Sequence, residues 1–434
     1  MRFLVQLIQK TYQMVAPQEG SKVLRNVSLL SSLQVITYIL PFIILPYLFR
    51  VIGPNKFGLI AFAQAFVQYF MILTDYGFSV SATKEISLCI DNKTRVSEVY
   101  SAVMMIKVLL TIVSLVILMG LLYTIPKFQN DRIIYILSFG AVIGNTLFPG
   151  WFFQGSEAMK YTFKINVLGE FIYALGIFAF IRSDADYLWV PVVTSLTSLT
   201  TGLVGQYILF TRFQMAFKIP ALKDLRYQLQ TGWNVFISIV AINAYTTTRV
   251  FAVGLLTNNT LTGFYSIADR IANAVQTFPL YSFTQAIFPR LNKIFPKNKI
   301  KAFLIMRQVQ LITVLISLIF LPVIFILAPW IVKLVCGAYY PAAVMTLQLL
   351  LVAVFFISAN AFRVQFLLIC GRTDVYSKIH VTMGLIGLPL IIICIHAFSY
   401  AGAAMATLLI EAGVFTLTWL SMNRIASALN LYTE

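Results

Sequence analysis

The sequence predicts an all-α integral membrane protein with twelve transmembrane helices arranged as two halves of six, and three observations carry that expectation. Its 434 residues are 59% hydrophobic and only 11% charged, with a mean hydropathy of +0.86, against about 25% charged residues in a soluble chain. Apolar stretches of about 20 residues recur along the whole length, each sufficient to cross a bilayer core, and leave no room for a soluble domain. Basic residues cluster in alternate loops, the pattern that orients helical membrane proteins.

Hydropathy and polar punctuation place spans near 27–51, 57–79, 99–123, 132–153, 164–182, 188–211, 232–256, 263–288, 304–332, 341–370, 378–398 and 402–423. The segment 1–26 is expected to be cytoplasmic or interfacial. Its apolar run is short, is broken by Gln6 and Gln9, and has no small-residue cleavage site, so it does not read as a signal peptide. Phe3, Leu7, Ile8, Met14 and Val15 fit a helix lying on the interface, with a disordered tail as the alternative. Spans 27–211 form a first bundle, 212–231 a cytoplasmic linker carrying Pro220, 232–423 a second bundle, and 424–434 a cytoplasmic C-terminus. Pro41, Pro46, Pro149 and Pro279 interrupt spans and are the expected sites of bending.

An even span count puts both termini on one side. With that side cytoplasmic, only six of the 32 Lys and Arg face the other side: Arg50, Lys56, Lys127, Arg132, Arg182 and Lys333. Four more, Lys107, Arg249, Arg270 and Arg363, fall inside spans, and the remainder are cytoplasmic. All five tryptophans map to span ends, where indoles prefer to lie. The net charge of +17 therefore reflects membrane orientation rather than nucleic-acid binding. The four cysteines lack CxxC spacing, and His380 and His396 flank one span without a ligand set, so neither a metal nor a cofactor is indicated.

Charges inside spans cost roughly 2.5–3.5 kcal/mol each on insertion scales and usually face a partner or a water-filled path. Gln64, Gln68 and Asp75 share one face of span two, and Asp269, Asn273 and Gln276 one face of span eight. The segments starting at Gly58 and Gly263 resemble each other, which matches Gln64 to Asp269 and Gln68 to Asn273. A parallel duplication is the favoured reading, with the two stripes lining a shared cavity; amides that merely bind neighbouring helices are the alternative. Arg249 and Arg270 lie roughly 10 Å beneath the periplasmic boundary, and Asp269 pairs better with Arg249 than with its neighbour Arg270, which points about 100° away around the helix. Lys107 is expected to snorkel to the headgroups; Arg363 either snorkels or faces the path. Glu411 and Glu170 are the candidate ion-coupling carboxylates, because burial brings a carboxyl group's proton exchange within reach of working pH; a static charge partner is the other reading.

Four segments resemble the Wzx-type O-antigen flippases of the polysaccharide transporter family, within the MATE-like MOP exporter superfamily. They are ILPYLFRVIGPNKFGLIAFAQAF (44–66), DYGFSVSATKEIS (75–87), FPGWFFQGSEAMK (148–160) and TGFYSIADRIANAVQTFPLYSFTQAIFPRL (262–291). The resemblance implies two six-helix bundles around a central cavity that opens alternately to each side of a bacterial inner membrane. It implies translocation of an undecaprenyl-pyrophosphate-linked oligosaccharide, an O-antigen or similar surface-polysaccharide unit, from the cytoplasmic to the periplasmic leaflet. Membrane lipids, a coupling H+ or Na+, a polysaccharide polymerase and a chain-length regulator are the implied partners. The family's basic cavity residues carry over to Arg270 in the ADR segment and Arg50 in LFRVIG, and Asp75 in DYGF is implied to gate the cytoplasmic mouth. Arg249 and Arg363 join them as pyrophosphate candidates through their span positions, and Gln64, Gln68, Asn273 and Gln276 as sugar ligands.

Two other classes compete. A MATE-like exporter of small cations would favour an acidic, aromatic cavity, against which three second-half arginines argue. A polytopic polysaccharide polymerase resembles chains with a large periplasmic loop, whereas every such loop here is about ten residues or fewer. No GxxxxGK[ST] phosphate loop occurs, so the chain is not expected to be an enzyme.

Overall fold

A computed structural model describes residues 20–429 and contains helices joined by short turns. In chain order these are α1 (Gly20–Asp75), α2 (Phe78–Cys89), α3 (Lys93–Thr124), α4 (Pro126–Gln129), α5 (Arg132–Leu147), α6 (Gly150–Gly155), α7 (Met159–Phe180) and α8 (Trp189–Arg212). They continue as α9 (Leu222–Thr246), α10 (Thr248–Leu256), α11 (Asn259–Ile294), α12 (Lys299–Cys336), α13 (Pro341–Ile369) and α14 (Thr373–Ala428). Side-chain amides start three of them: Asn92, Asn258 and Asn298 accept from the backbone N–H groups of Arg95, Leu261 and Lys301 at 3.1, 2.9 and 2.8 Å, satisfying donors that a helix leaves open. Most of the expected interfacial segment 1–26, and the last residues of 424–434, lie outside the described residues.

Among the described residues eight helices are long and apolar enough to cross a membrane, or nine if the bent pair α9 and α10 is one span. The chain is thus a multi-pass helical membrane protein, but the expected spans do not appear as twelve separate helices. Spans 27–51 and 57–79 are merged in α1, which breaks only at Gly53 (φ 71°, ψ 168°). Spans 378–398 and 402–423 are merged in α14, broken only at Ser399 (φ 54°, ψ −138°). The physical reason is that a single residue of positive φ redirects the chain without a loop, a device that hydropathy cannot see. Of the four prolines expected to permit bending, Pro41 and Pro46 lie within α1 and Pro279 within α11. Pro149 alone among those four marks a break, between α5 and α6.

The chain forms two compact units, residues 31–243 and residues 244 onward. In the first unit α5 and α8 cross where small residues allow backbone contact. A Cβ on Gly144 would stand 2.2 Å from the Ser198 carbonyl carbon, and one on Gly202 would stand 2.6 Å from the Gly144 oxygen. Ser195 donates to the Leu137 carbonyl beside the same crossing. This is how helices associate in lipid, where apolar burial supplies little drive.

The basic end of this unit is closed by a core of Phe78, Ile86, Tyr100, Trp151, Phe152 and Phe153. The segments 75–87 and 148–160 therefore pack on one another, with Thr83 Oγ1 donating to the Trp151 carbonyl at 3.1 Å. Trp151 is 4% exposed and stacks on Tyr100, so it is a core residue and not the interfacial anchor its span-end position suggested; the other four tryptophans are exposed. The stretch 212–231, expected as a linker, is docked here too. Met215 joins the core, the Lys218 N–H donates to Ser101 Oγ at 3.0 Å, and Gln228 Nε2 donates to Glu85 at 2.7 Å. Arg95 ties Glu85, Glu98 and Asp224 at 3.0, 3.3 and 3.7 Å.

Replacing Gly144 with valine is expected to destabilise the first unit by about 1–3 kcal/mol, the usual cost of overpacking. A fall in the thermal midpoint of the detergent-purified protein, with Gly120→Val as an open-space control, is the measurement.

Candidate functional site

The second unit holds a polar seam, and Arg249 is its centre. Helices α9 and α10 meet at Thr247 with a bend of 48°, which leaves backbone carbonyls of α9 without helical donors. Arg249, in the first turn of α10, folds back so that its Nε donates to the Thr246 carbonyl at 2.9 Å. Its Nη1 donates to Thr407 Oγ1 of α14 at 3.3 Å, and its Nη2 lies 4.0 Å from the Asp269 carboxylate of α11. The two side chains are 13% and 17% exposed. Glu411, one turn beyond Thr407, acts electrostatically on the same guanidinium, as does the wholly buried Tyr265. The pairing of Asp269 with Arg249 rather than Arg270 follows the helix geometry read from the sequence.

Along α11 the Asp269 carboxylate also accepts from Asn273 Nδ2 at 2.9 Å. Below them a cavity of about 400 Å³ is lined by Gln276, Asn360, Gln365, Tyr376, His380 and Glu411. Its wall is organised by aromatic contacts: the Tyr245 hydroxyl and His380 Nδ1 share a hydrogen bond of 2.7 Å, and Tyr376 meets the His380 ring edge-on at 4.3 Å. Asn360 Nδ2 reaches Thr418 Oγ1 at 3.4 Å. The buried oxygens Asn360 Oδ1 and Gln365 Oε1 receive no hydrogen bond among the described residues. No group of three metal-ligating side chains occurs among the described residues.

The remaining expected site residues are elsewhere. Arg270 is exposed on the flank of α11, outside this cluster. Arg363 packs over the Phe415 ring at 4.6 Å and lines a separate cavity with Arg307. Arg50, Gln64, Gln68, Asp75 and Glu170 belong to the first unit. There Arg50 and Gln68 are exposed, and Gln64, Asp75 and Glu170 half-buried; Asp75 accepts from Ser79 Oγ at 2.9 Å. Lys107 does not snorkel. It is 2% exposed, its Nζ points at the Asn145 carbonyl at 3.5 Å, and Asp75 is the charge that acts on it. A carbonyl at the end of α5 and a carboxylate on α1 together offer this ammonium a nearer partner than the headgroups.

Sequence reasoning passed over Tyr245, Tyr376, His380 and Thr407. Two i, i+4 pairs at the starts and middles of apolar runs, Tyr376 with His380 and Thr407 with Glu411, carried the available signal.

A family model described as polysaccharide biosynthesis protein matches residues 23–295. A protein of Escherichia coli (strain K12), provisionally named an O-antigen transporter, is 30% identical over 394 residues, covering 91% of this chain and 95% of its own. A Shigella dysenteriae protein with the same provisional name is 24% identical, covering 89% and 96%. Among solved structures, a multidrug resistance MATE family transporter of the MOP superfamily in an inward-facing conformation superposes with a TM-score of 0.74 at 16% identity, over 92% of this chain and 96% of that one. The lipid II flippase MurJ superposes with a TM-score of 0.75 at 12% identity, over 91% and 87%. At such identities the structures establish the fold alone, the one these two solved proteins share. The family follows from the sequence matches, and the chain belongs to the polysaccharide biosynthesis protein family. The resemblance read from its motifs is borne out.

Removing Arg249 while leaving Asp269 strands a partly buried carboxylate, for which losses of about 3–5 kcal/mol are typical. Arg249→Gln is therefore expected to lower the thermal midpoint sharply, and the Arg249→Gln/Asp269→Asn pair to recover part of the loss in a double-mutant cycle.

Proposed function

We propose that this protein is a flippase for undecaprenyl-pyrophosphate-linked oligosaccharide units of an O-antigen or similar surface polysaccharide, moving them from the cytoplasmic to the periplasmic leaflet of the bacterial inner membrane by alternating access. The observation that carries the reading is the seam from Arg249 through Asp269, Asn273 and Gln276 to Glu411, a polar surface built inside a membrane-spanning unit. Each end of the cargo has its counterpart in that chemistry. A sugar requires hydrogen-bonding side chains in place of water, and a pyrophosphate requires cations, for which arginine offers paired planar donors. The names borne by the relatives from Escherichia coli and Shigella dysenteriae support the same cargo.

In this reading α1 and α14, each 56 residues long, pass the bilayer twice, because 56 residues of helix extend roughly 84 Å against a core of about 30 Å. Twelve passes in two six-helix bundles result, with both termini cytoplasmic. Arg270, exposed beside the seam, and Arg50 are cations for the pyrophosphate toward the periplasmic end of the path. Arg249 is the fixed charge behind Arg270, Asn273 and Gln276 are sugar ligands of the second bundle, and Gln64 and Gln68 are the sugar-binding candidates of the first. Asp75 gates. Glu411, with Glu170 as the lesser candidate, exchanges the coupling ion. Outward movement of the anionic headgroup is itself favoured by an inside-negative potential, by about 2.3 kcal/mol per charge per 100 mV.

Disrupting the gene is expected to leave single lipid-linked units accumulated on the cytoplasmic leaflet. Normal surface polysaccharide in that strain, with no other flippase present, sinks the proposal. In complementation, Arg270→Ala is expected to abolish polymer at the surface while Arg270→Lys retains part, since lysine keeps the charge and loses the paired geometry. Full activity of the alanine variant at normal expression refutes the assigned role.

A further inference from the structure

The connection between α8 and α9 does not simply cross the basic end of the first unit; it turns back toward the bilayer. Two contacts with α3 fix its course. Ser97 Oγ donates to Met215 Sδ at 3.7 Å, and the Lys218 N–H donates to Ser101 Oγ at 3.0 Å. Residues 215 and 218 thus touch α3 four residues apart, so the chain advances roughly 6 Å along that helix, away from its start at Lys93. By the first turn of α9 it has come back out, because Asp224 lies 3.7 Å from Arg95. Residues 216–221 form the apex of this shallow loop.

The level of the apex follows from α3 itself. Lys93, Arg95 and Glu98 crowd the start of that helix, and the buried Ser101 falls within the apolar stretch that begins at Val99. The backbone at Lys218 therefore lies where headgroups give way to acyl chains. Irregular backbone at that level finds little water to bond. Ser101 accepts the Lys218 N–H, and Pro220 has no N–H to satisfy.

The side chains of the loop fit the same boundary. Phe217, Ile219 and Leu222 are 50%, 88% and 84% exposed, and they alternate with the exposed Lys218 and Lys223. Residues 212–223 contain no aspartate or glutamate, and the acid that follows, Asp224, is engaged by Arg95. Apolar tips interleaved with cations are the composition of a segment lying in a membrane interface. A soluble partner could reach these tips only by displacing lipid from the start of α3.

We infer that residues 216–223 are an interfacial anchor. Phe217, Ile219 and Leu222 insert at the headgroup–acyl boundary of the cytoplasmic leaflet, and Lys218 and Lys223 meet the phosphates of anionic lipids there. The anchor needs only the orientation set by the basic residues, so it stands or falls apart from the identity of the cargo. It holds the entry to α9 between α3 on one side and lipid on the other.

The test uses the full-length protein in liposomes, with bimane on the single-site variants Phe217→Cys, Ile219→Cys or Asp91→Cys. The partly exposed Cys89 and Cys370 are replaced by alanine, and the buried Cys336 and Cys394 are kept. Labels at 217 and 219 are expected to be quenched by phosphatidylcholine brominated near the headgroup and protected from aqueous iodide. The label at 91, in the exposed turn before α3, is expected to behave oppositely. Brominated phosphatidylglycerol is expected to quench the label at 219 about fivefold more effectively than brominated phosphatidylcholine, the weight of one basic residue near an anionic leaflet. Lys218→Gln/Lys223→Gln is expected to bring the two lipids level. Iodide access at 217 and 219 equal to that at 91 places the loop in water and overturns the anchor. Protection from both quenchers shows protein covering the loop and overturns it equally. So does equal quenching by the two lipids with both lysines present, or a preference that survives their loss.

Discussion

A charge placed within a bilayer must be solvated by the protein that carries it, and the second unit is arranged around how Arg249 meets that requirement. The guanidinium caps the interrupted end of α9, donates to α14 and faces the carboxylate of α11. Three helices are thus tied by one side chain at the point where the backbone is least satisfied. The bend at Thr247 and the charge at Arg249 are complementary faults: the carbonyls opened by the break are what make the cation tolerable there. Asp269 and Asn273 then extend the polar surface along α11, so the seam is a consequence of one buried arginine as much as a feature beside it.

The first unit solves the same problem with different means. Lys107 is enclosed with a carbonyl from α5 and the field of Asp75, and Ser195 and Gln206 of α8 donate to the Leu137 and Leu147 carbonyls of α5. Stability there comes from backbone approach at Gly144 and Gly202 and from the aromatic core beneath α2 and α6. The first unit adds the ion pairs of Arg95 at its surface, whereas the second carries its charge pair inside, beside the polar cavity.

Much of this was legible in the sequence, and what was not has identifiable causes. Helical class and multiple passes follow from composition and run length. The partnership of Asp269 with Arg249 follows from a rotation of about 100° per residue, and the shared face of Asp269, Asn273 and Gln276 from the same arithmetic. The merged helices were hidden because Gly53 and Ser399 change direction through one dihedral each, with no polar loop to announce it. Trp151 and Lys107 were misplaced for a common reason: residue type reports a preference for the interface, whereas the neighbours that override it, Tyr100 and Asn145, are distant in sequence. His380 was set aside as an isolated histidine, since its partner Tyr245 lies on a helix far earlier in the chain.

The docking of residues 213–243 on the first unit bears on how the chain can be divided. Hydropathy suggests the polar stretch near Pro220 as the natural seam between halves, and a duplication would place its junction there. Yet Met215, Asp224 and Gln228 are held by α2 and α3, and Tyr76 stacks on Phe236 at 4.8 Å. Co-expressed fragments cut within 213–221 would each lose a native surface, with α9 stranded on the wrong piece. The first compact unit therefore runs to residue 243, nearly to the end of α9, beyond the polar stretch near Pro220.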